Sequence, residues 1–197
     1  MTIHPSRMRR SAGALITALA VTALAVTPAT STAKRHRPNP MGCPNVPTIV
    51  GNNLDNFLTG TAGNDKVRAY GGVDGVMGLG GNDRICGDEG ADSGLNGGSG
   101  DDIIRGGTGA DHAFTGGEDD DRIYGDAGND LIGADPGRDY SHGGADNDKL
   151  WGDTWGVEGD ADKDHLDGGP GNDTCYPGWE DTVANCETVV WQPEPPA

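Results

Sequence analysis

Twelve aspartates recur in one register: Asp65, Asp74, Asp83, Asp92, Asp102, Asp111, Asp121, Asp130, Asp139, Asp148, Asp164 and Asp173. Each is the sixth residue of a glycine-rich nonapeptide whose eighth place is mostly aliphatic. The clearest run is Gly97-Gly98-Ser99-Gly100-Asp101-Asp102-Ile103-Ile104-Arg105, followed at once by another unit from Gly106. Carboxylates at a fixed period, with glycines that let backbone carbonyls turn inward, form an all-oxygen ligand set. Such a set suits calcium better than the transition metals. A solvated Gly-rich linker or metal-free Asx turns would use the same residue types but would not hold one register. An EF-hand around Asp160, Asp162 and Asp164 fails, because its sixth and twelfth places are His165 and Gly171 rather than Gly and Glu.

These nonapeptides resemble the repeats-in-toxin (RTX) family, whose calcium-binding unit reads G-G-x-G-x-D-x-U-x. The resemblance covers residues 51–176 and implies an all-β fold, a parallel β-roll. In that roll each nonapeptide gives a turn of about six residues and a strand of about three, and two nonapeptides complete one coil. It also implies several Ca2+ ions held by the twelve aspartates and by loop carbonyls of adjacent coils. Side-chain alternation points the eighth residue inward and its neighbours out. Strands one coil apart lie about 4.8 Å from each other, so Asp65 and Asp83, or Asp111 and Asp130, should stack in a ladder. Two carboxylates at that spacing repel by about 1 kcal/mol in water and about 3.5 kcal/mol at an effective dielectric of 20. A divalent cation between rungs would turn this repulsion into attraction.

The eighth place reads Leu58, Val67, Val76, Ile85, Ile104, Ile123, Ile132, Leu150 and Leu166, with Cys175 in the last unit. It fails at Gly94, Ala113 and Ser141, so those rungs are expected to pack poorly. Asn96 and Thr115 read as single insertions, and residues 152–158 as a longer one.

Composition points the same way. The chain has 35 Gly among 197 residues, 5% aromatics, and 31 acidic against 14 basic side chains for a formal net charge of −17. So few large apolar groups would leave a chain disordered without another source of stability. The acidity argues against nucleic acid and anionic membranes as partners.

Residues 1–33 read as a secretory signal peptide: Arg7, Arg9 and Arg10, a short apolar run, then small residues before Lys34. The apolar run is too short for a spanning helix. Secretion to the extracellular space follows, with a basic, Pro-rich segment at 34–50 and a roll at 51–176. A C-terminal cap is expected at 177–191 over the last rung, and a disordered tail at 192–197. Four cysteines in an exported chain suit two disulfides. Of three pairings, Cys43–Cys86 with Cys175–Cys186 is preferred, since each bond ties one end of the repeats to its flank.

Enzyme signatures are missing: there is no H-E-x-x-H and no G-x-S-x-G. His112 and His165 fall at the outward seventh place. The outward aromatics Tyr124, Trp151 and Tyr176 suggest an alternative, a calcium-stabilised surface adhesion module that binds a glycan or protein partner. As surface residues they equally shield strands. The reading is a non-enzymatic, calcium-binding roll that folds on meeting Ca2+ outside the cell.

Overall fold

Sixteen short strands follow one another without a helix in the computed structural model, which describes residues 42–112, 114–153 and 162–191. The first eight are β1 (Ile49–Asn52), β2 (Phe57–Thr59), β3 (Lys66–Gly71), β4 (Gly75–Gly80), β5 (Arg84–Glu89), β6 (Leu95–Ser99), β7 (Ile103–Thr108) and β8 (Phe114–Glu118). The rest are β9 (Arg122–Ala127), β10 (Leu131–Gly133), β11 (Tyr140–Ala145), β12 (Lys149–Trp151), β13 (His165–Asp167), β14 (Thr174–Tyr176), β15 (Thr182–Ala184) and β16 (Thr188–Val189). Odd strands stack in order into one eight-stranded parallel sheet and even strands into a second. This is a parallel β-roll. The signal segment 1–33, the tail 192–197 and most of the 152–158 insertion lie outside the described residues.

Each sheet sends one row of inward side chains to the interior, and the two rows form the core. Val67, Val76, Ile85, Leu95, Ile104, Phe114, Ile123, Ile132, Leu150, Leu166 and Cys175 are all sealed from solvent. Burying each aliphatic side chain contributes roughly 2 kcal/mol. The strands are longer than three residues wherever the turn glycines join the ladder, as in β3, β5, β7, β9 and β11.

Two rungs expected to be weak are not. The register pairs Val76 with Leu95 and Met77 with Asn96, so Asn96 is no insertion. Ile132 and Gly133 pair with Phe114 and Thr115 in the same way. Ser93 bridges His112. The extra residue therefore precedes the inward one, and Gly94 takes it up as a bulge with φ of 80°. Leu95 fills the core instead of Gly94, and Phe114 fills it on β8; Ala113 lies outside the described residues. Ser141 does stand in the core row, paired with Ile123 and Leu166, and its buried hydroxyl has no hydrogen-bond partner.

Both ends are fastened. Cys43 is bonded to Cys86 on β5, and Cys175 on β14 to Cys186. Beyond Cys175, β15 pairs with β13 and β16 with β14, so residues expected only to cover the last rung extend both sheets.

The core row makes two opposite expectations. Phe114→Ala should lower stability by about 3–5 kcal/mol. Ser141→Val should raise it by about 1 kcal/mol, because a buried hydroxyl without a partner is removed. Urea unfolding in constant calcium reads both.

Candidate metal centre

The turn between an inward aliphatic and the next sixth-place aspartate uses left-handed backbone at its second and fourth places. In the unit from Gly97 these are Gly98 (φ 115°) and Gly100 (φ 108°). Elsewhere Tyr70, Leu79, Asp88 and Asp126 adopt the same region at the second place, with φ of 74–82°. Such side chains cost on the order of 1 kcal/mol there, so the turn geometry is imposed by the stack rather than by the residue.

Every sixth-place aspartate from Asp65 to Asp173 is buried. One carboxylate oxygen has a fixed role. The N–H of Asp65 donates to Oδ1 of Asp83 (2.7 Å), that of Asp83 to Asp102 (2.7 Å), and that of Asp102 to Asp121 (2.7 Å). The row continues from Asp121 to Asp139 (2.7 Å) and from Asp139 to Asp164 (2.8 Å). On the opposite turn the donors run Asn56 to Asp74, Asp74 to Asp92, Asp92 to Asp111, Asp111 to Asp130, Asp130 to Asp148 and Asp148 to Asp173, at 2.7–2.9 Å.

The second oxygen behaves differently. Oδ2 of Asp74, Asp83, Asp92, Asp102, Asp111, Asp121, Asp130, Asp139, Asp148 and Asp173 is sealed from solvent and accepts no hydrogen bond. It lies in a small cradle. A Cβ on Gly97 would collide with Oδ2 of Asp102 and with the carbonyl oxygen of Gly116 one coil on. Gly116 stands in the same relation to Asp121 and the Ala134 carbonyl, and Gly143 to Asp148 and the Gly168 carbonyl. Ala69 and Ala134 carry a methyl group at this first place, in the units of Asp74 and Asp139.

The ladders end by self-satisfaction. Oδ2 of Asp65 accepts from the N–H (2.7 Å) and hydroxyl (2.9 Å) of Thr61. Two ladder members were missed in the sequence. Asp181 Oδ1 accepts from Asp164 N–H (3.0 Å), and its Oδ2 from Gly178 N–H (2.7 Å). Glu187 accepts from Asp173 N–H (2.7 Å). Their signal was present: Asp181-Thr182-Val183 and Glu187-Thr188-Val189 repeat the acid-x-aliphatic spacing without the glycine turn.

Burial raises these acids. Asp102, Asp111 and Asp148 are pushed up to about 6, Asp92 and Asp121 to about 7, Asp130 to about 8 and Asp139 to about 9. Desolvation is the largest cause, the donated backbone N–H opposes it, and neighbouring carboxylates add in most cases. A buried oxygen with no donor needs a proton or a cation. Among the described residues no three His, Cys, Asp or Glu side chains gather as a metal cluster. A cation in these cradles would therefore take one carboxylate oxygen and draw further ligands from backbone carbonyls. That donor set fits calcium.

The outward aromatics are turned to each other. Trp151 and Tyr176 stack at 4.5 Å, nearly parallel, and the Arg105 guanidinium lies 4.4 Å over the Tyr124 ring. His112 is exposed, and His165 stacks on Tyr140 at 5.3 Å.

The pH dependence of the metal-free chain follows in sign. Acids raised on folding stabilise the fold fully below about pH 4 and lose that contribution as pH climbs through 6 to 9. In EDTA the roll should therefore melt at higher temperature at pH 5 than at pH 8. In calcium the order should reverse, because protons compete with the cation. Thermal melts followed by circular dichroism test both.

The family model described as RTX calcium-binding nonapeptide repeat matches residues 50–85, 76–93, 95–116, 113–141, 133–154 and 157–182. Comparisons with curated proteins and with solved structures returned no match.

Proposed function

The chain belongs to the RTX calcium-binding nonapeptide repeat family, and on that premise we propose that it is an exported, non-enzymatic calcium-binding roll whose folding is coupled to the ion. The carrying observation is the row of buried Oδ2 atoms without a donor. Asp74, Asp83, Asp92, Asp102, Asp111, Asp121, Asp130, Asp139, Asp148, Asp164 and Asp173 hold the ions, with carbonyls such as those of Gly116 and Gly168. Asp65 ends its ladder on Thr61 instead. Bound calcium supplies the positive charge that the buried carboxylates lack. The Oδ1 atoms stay on the N–H groups of the preceding coil, so binding and coil stacking support each other.

Two disulfides accord with folding in an oxidising compartment. Extracellular calcium modules bind at about 10⁻⁴ to 10⁻³ M, which keeps such a chain loose until it leaves the cell.

Removing the metal is the test. In EDTA near neutral pH the β-sheet circular dichroism of the disulfide-intact chain should largely disappear, and millimolar calcium should restore it. Asp102→Asn and Asp121→Asn together should raise the calcium midpoint several-fold. Asp65→Asn should leave it nearly unchanged. A spectrum indifferent to chelation contradicts the proposal.

The alternative, an interaction module in which calcium only builds the scaffold, draws support from the outer face of the odd-strand sheet.

A further inference from the structure

We infer that the outward face of the odd-strand sheet is a docking surface for a linear anionic polysaccharide, centred on Lys66, Arg84 and Arg122. Of the eight lysines and arginines among the described residues, five lie on this face: Lys66, Arg68, Arg84, Arg105 and Arg122. The seventh-place row of that sheet runs Lys66, Arg84, Ile103, Arg122, Tyr140, His165 and Thr182, each paired with the next across neighbouring strands. It contains no acid. The ninth-place row beside it carries Arg68 and Arg105, which are engaged by Asp88 (2.5 Å) and Asp126 (2.6 Å). Its one acid, Asp167, lies 3.3 Å from His142 Nδ1 and accepts a hydrogen bond from Asn185 Nδ2 (2.7 Å).

Lys66, Arg84 and Arg122 are exposed, and among the described residues none of them forms an ion pair. Lys66 and Arg84 sit directly opposite each other on adjacent strands. Like charges in that position destabilise a sheet. Folding gains nothing from leaving them unpaired in a chain with 31 acids; an external anion would relieve the repulsion.

A built feature adjoins them. A hollow of about 400 Å³ lies between Lys66 and Arg84 and the segment from Gly42 to Val46, which the Cys43–Cys86 bond pins against the sheet. The residues leading into it, 34–41, carry Lys34, Arg35 and Arg37 and no acid, so they do not supply the missing anion. The row from Lys66 to Arg122 spans three strand spacings, about 14 Å, and so fits a chain with repeated acid groups.

A polysaccharide fits better than nucleic acid. Single-stranded nucleic acid needs free aromatic faces for base stacking. Here Tyr124 is covered by Arg105, and Tyr140 is stacked on His165.

The experiment compares the disulfide-intact chain, in calcium, on dextran sulfate and on unmodified dextran. Retention on dextran sulfate alone, released by salt, is expected. Lys66→Gln/Arg84→Gln/Arg122→Gln should weaken it about ten-fold or more, the scale of three exposed charge contacts. The charge-matched Arg138→Gln/Lys149→Gln/Lys163→Gln should stay within about two-fold. Circular dichroism in calcium checks that both variants fold, and Arg122→Gln alone, two strand spacings or about 10 Å from Arg84 at the edge of the disulfide-pinned hollow, serves if the triple does not. No retention, equal loss in both triples, or binding unchanged in the face variant overturns the inference. So does tighter binding of oligodeoxythymidylate than of dextran sulfate. A roll that stays folded in EDTA would contradict the calcium proposal and leave this result standing.

Discussion

One contact organises the molecule: the N–H of each sixth-place aspartate donates to the carboxylate of the acid one coil later, an aspartate in every case but the last, where Glu187 accepts from Asp173. A stack of carboxylates should push its coils apart. The donated N–H offsets part of that repulsion and fixes each side chain, so that one oxygen always faces the preceding coil. The other oxygen is thereby aimed into the turn, beside a carbonyl of the following coil and away from water. Rigid stacking and an unsatisfied oxygen thus have the same cause. The glycine at the first place of most units leaves room there, since a Cβ added at Gly97, Gly116 or Gly143 would collide with that oxygen and the carbonyl, whereas the units of Asp74 and Asp139 accommodate the methyl of Ala69 and Ala134.

The thin core is adequate only with this support. Only one row of inward side chains from each sheet forms the core, and one member, Ser141, is a serine. The ends, where a solenoid would expose unpaired rungs, are closed by chemistry already used in the middle. Thr61 satisfies Asp65, Asp181 satisfies Asp164 N–H, and Glu187 satisfies Asp173 N–H. The disulfides hold flanking segments that have few buried apolar groups of their own.

Much of this was legible in the residues. The aspartate register fixed the period, and the alternation around Ile85 or Ile123 fixed which side faces in. What escaped was either local bulge geometry or contact through space. An extra residue near Leu95 can precede or follow the inward position, and residue types alone favoured the wrong choice; Gly94 at positive φ decides it. Asp181 and Glu187 were hidden because their turns lack the G-G-x-G pattern, with Gly178 alone before Asp181 and no glycine between β15 and Glu187, although their acid-x-aliphatic spacing is intact. The direction of the carboxylate ladder, the stacking of Trp151 on Tyr176 and the alignment of Lys66, Arg84 and Arg122 in one row depend on which residues become neighbours only after coiling.

The most direct test of the central claim is a count of calcium ions by isothermal titration calorimetry on chelator-stripped protein. The account predicts several ions per chain, taken up together, with fewer in Asp102→Asn/Asp121→Asn. A titration without heat, or the same stoichiometry after those substitutions, would contradict it.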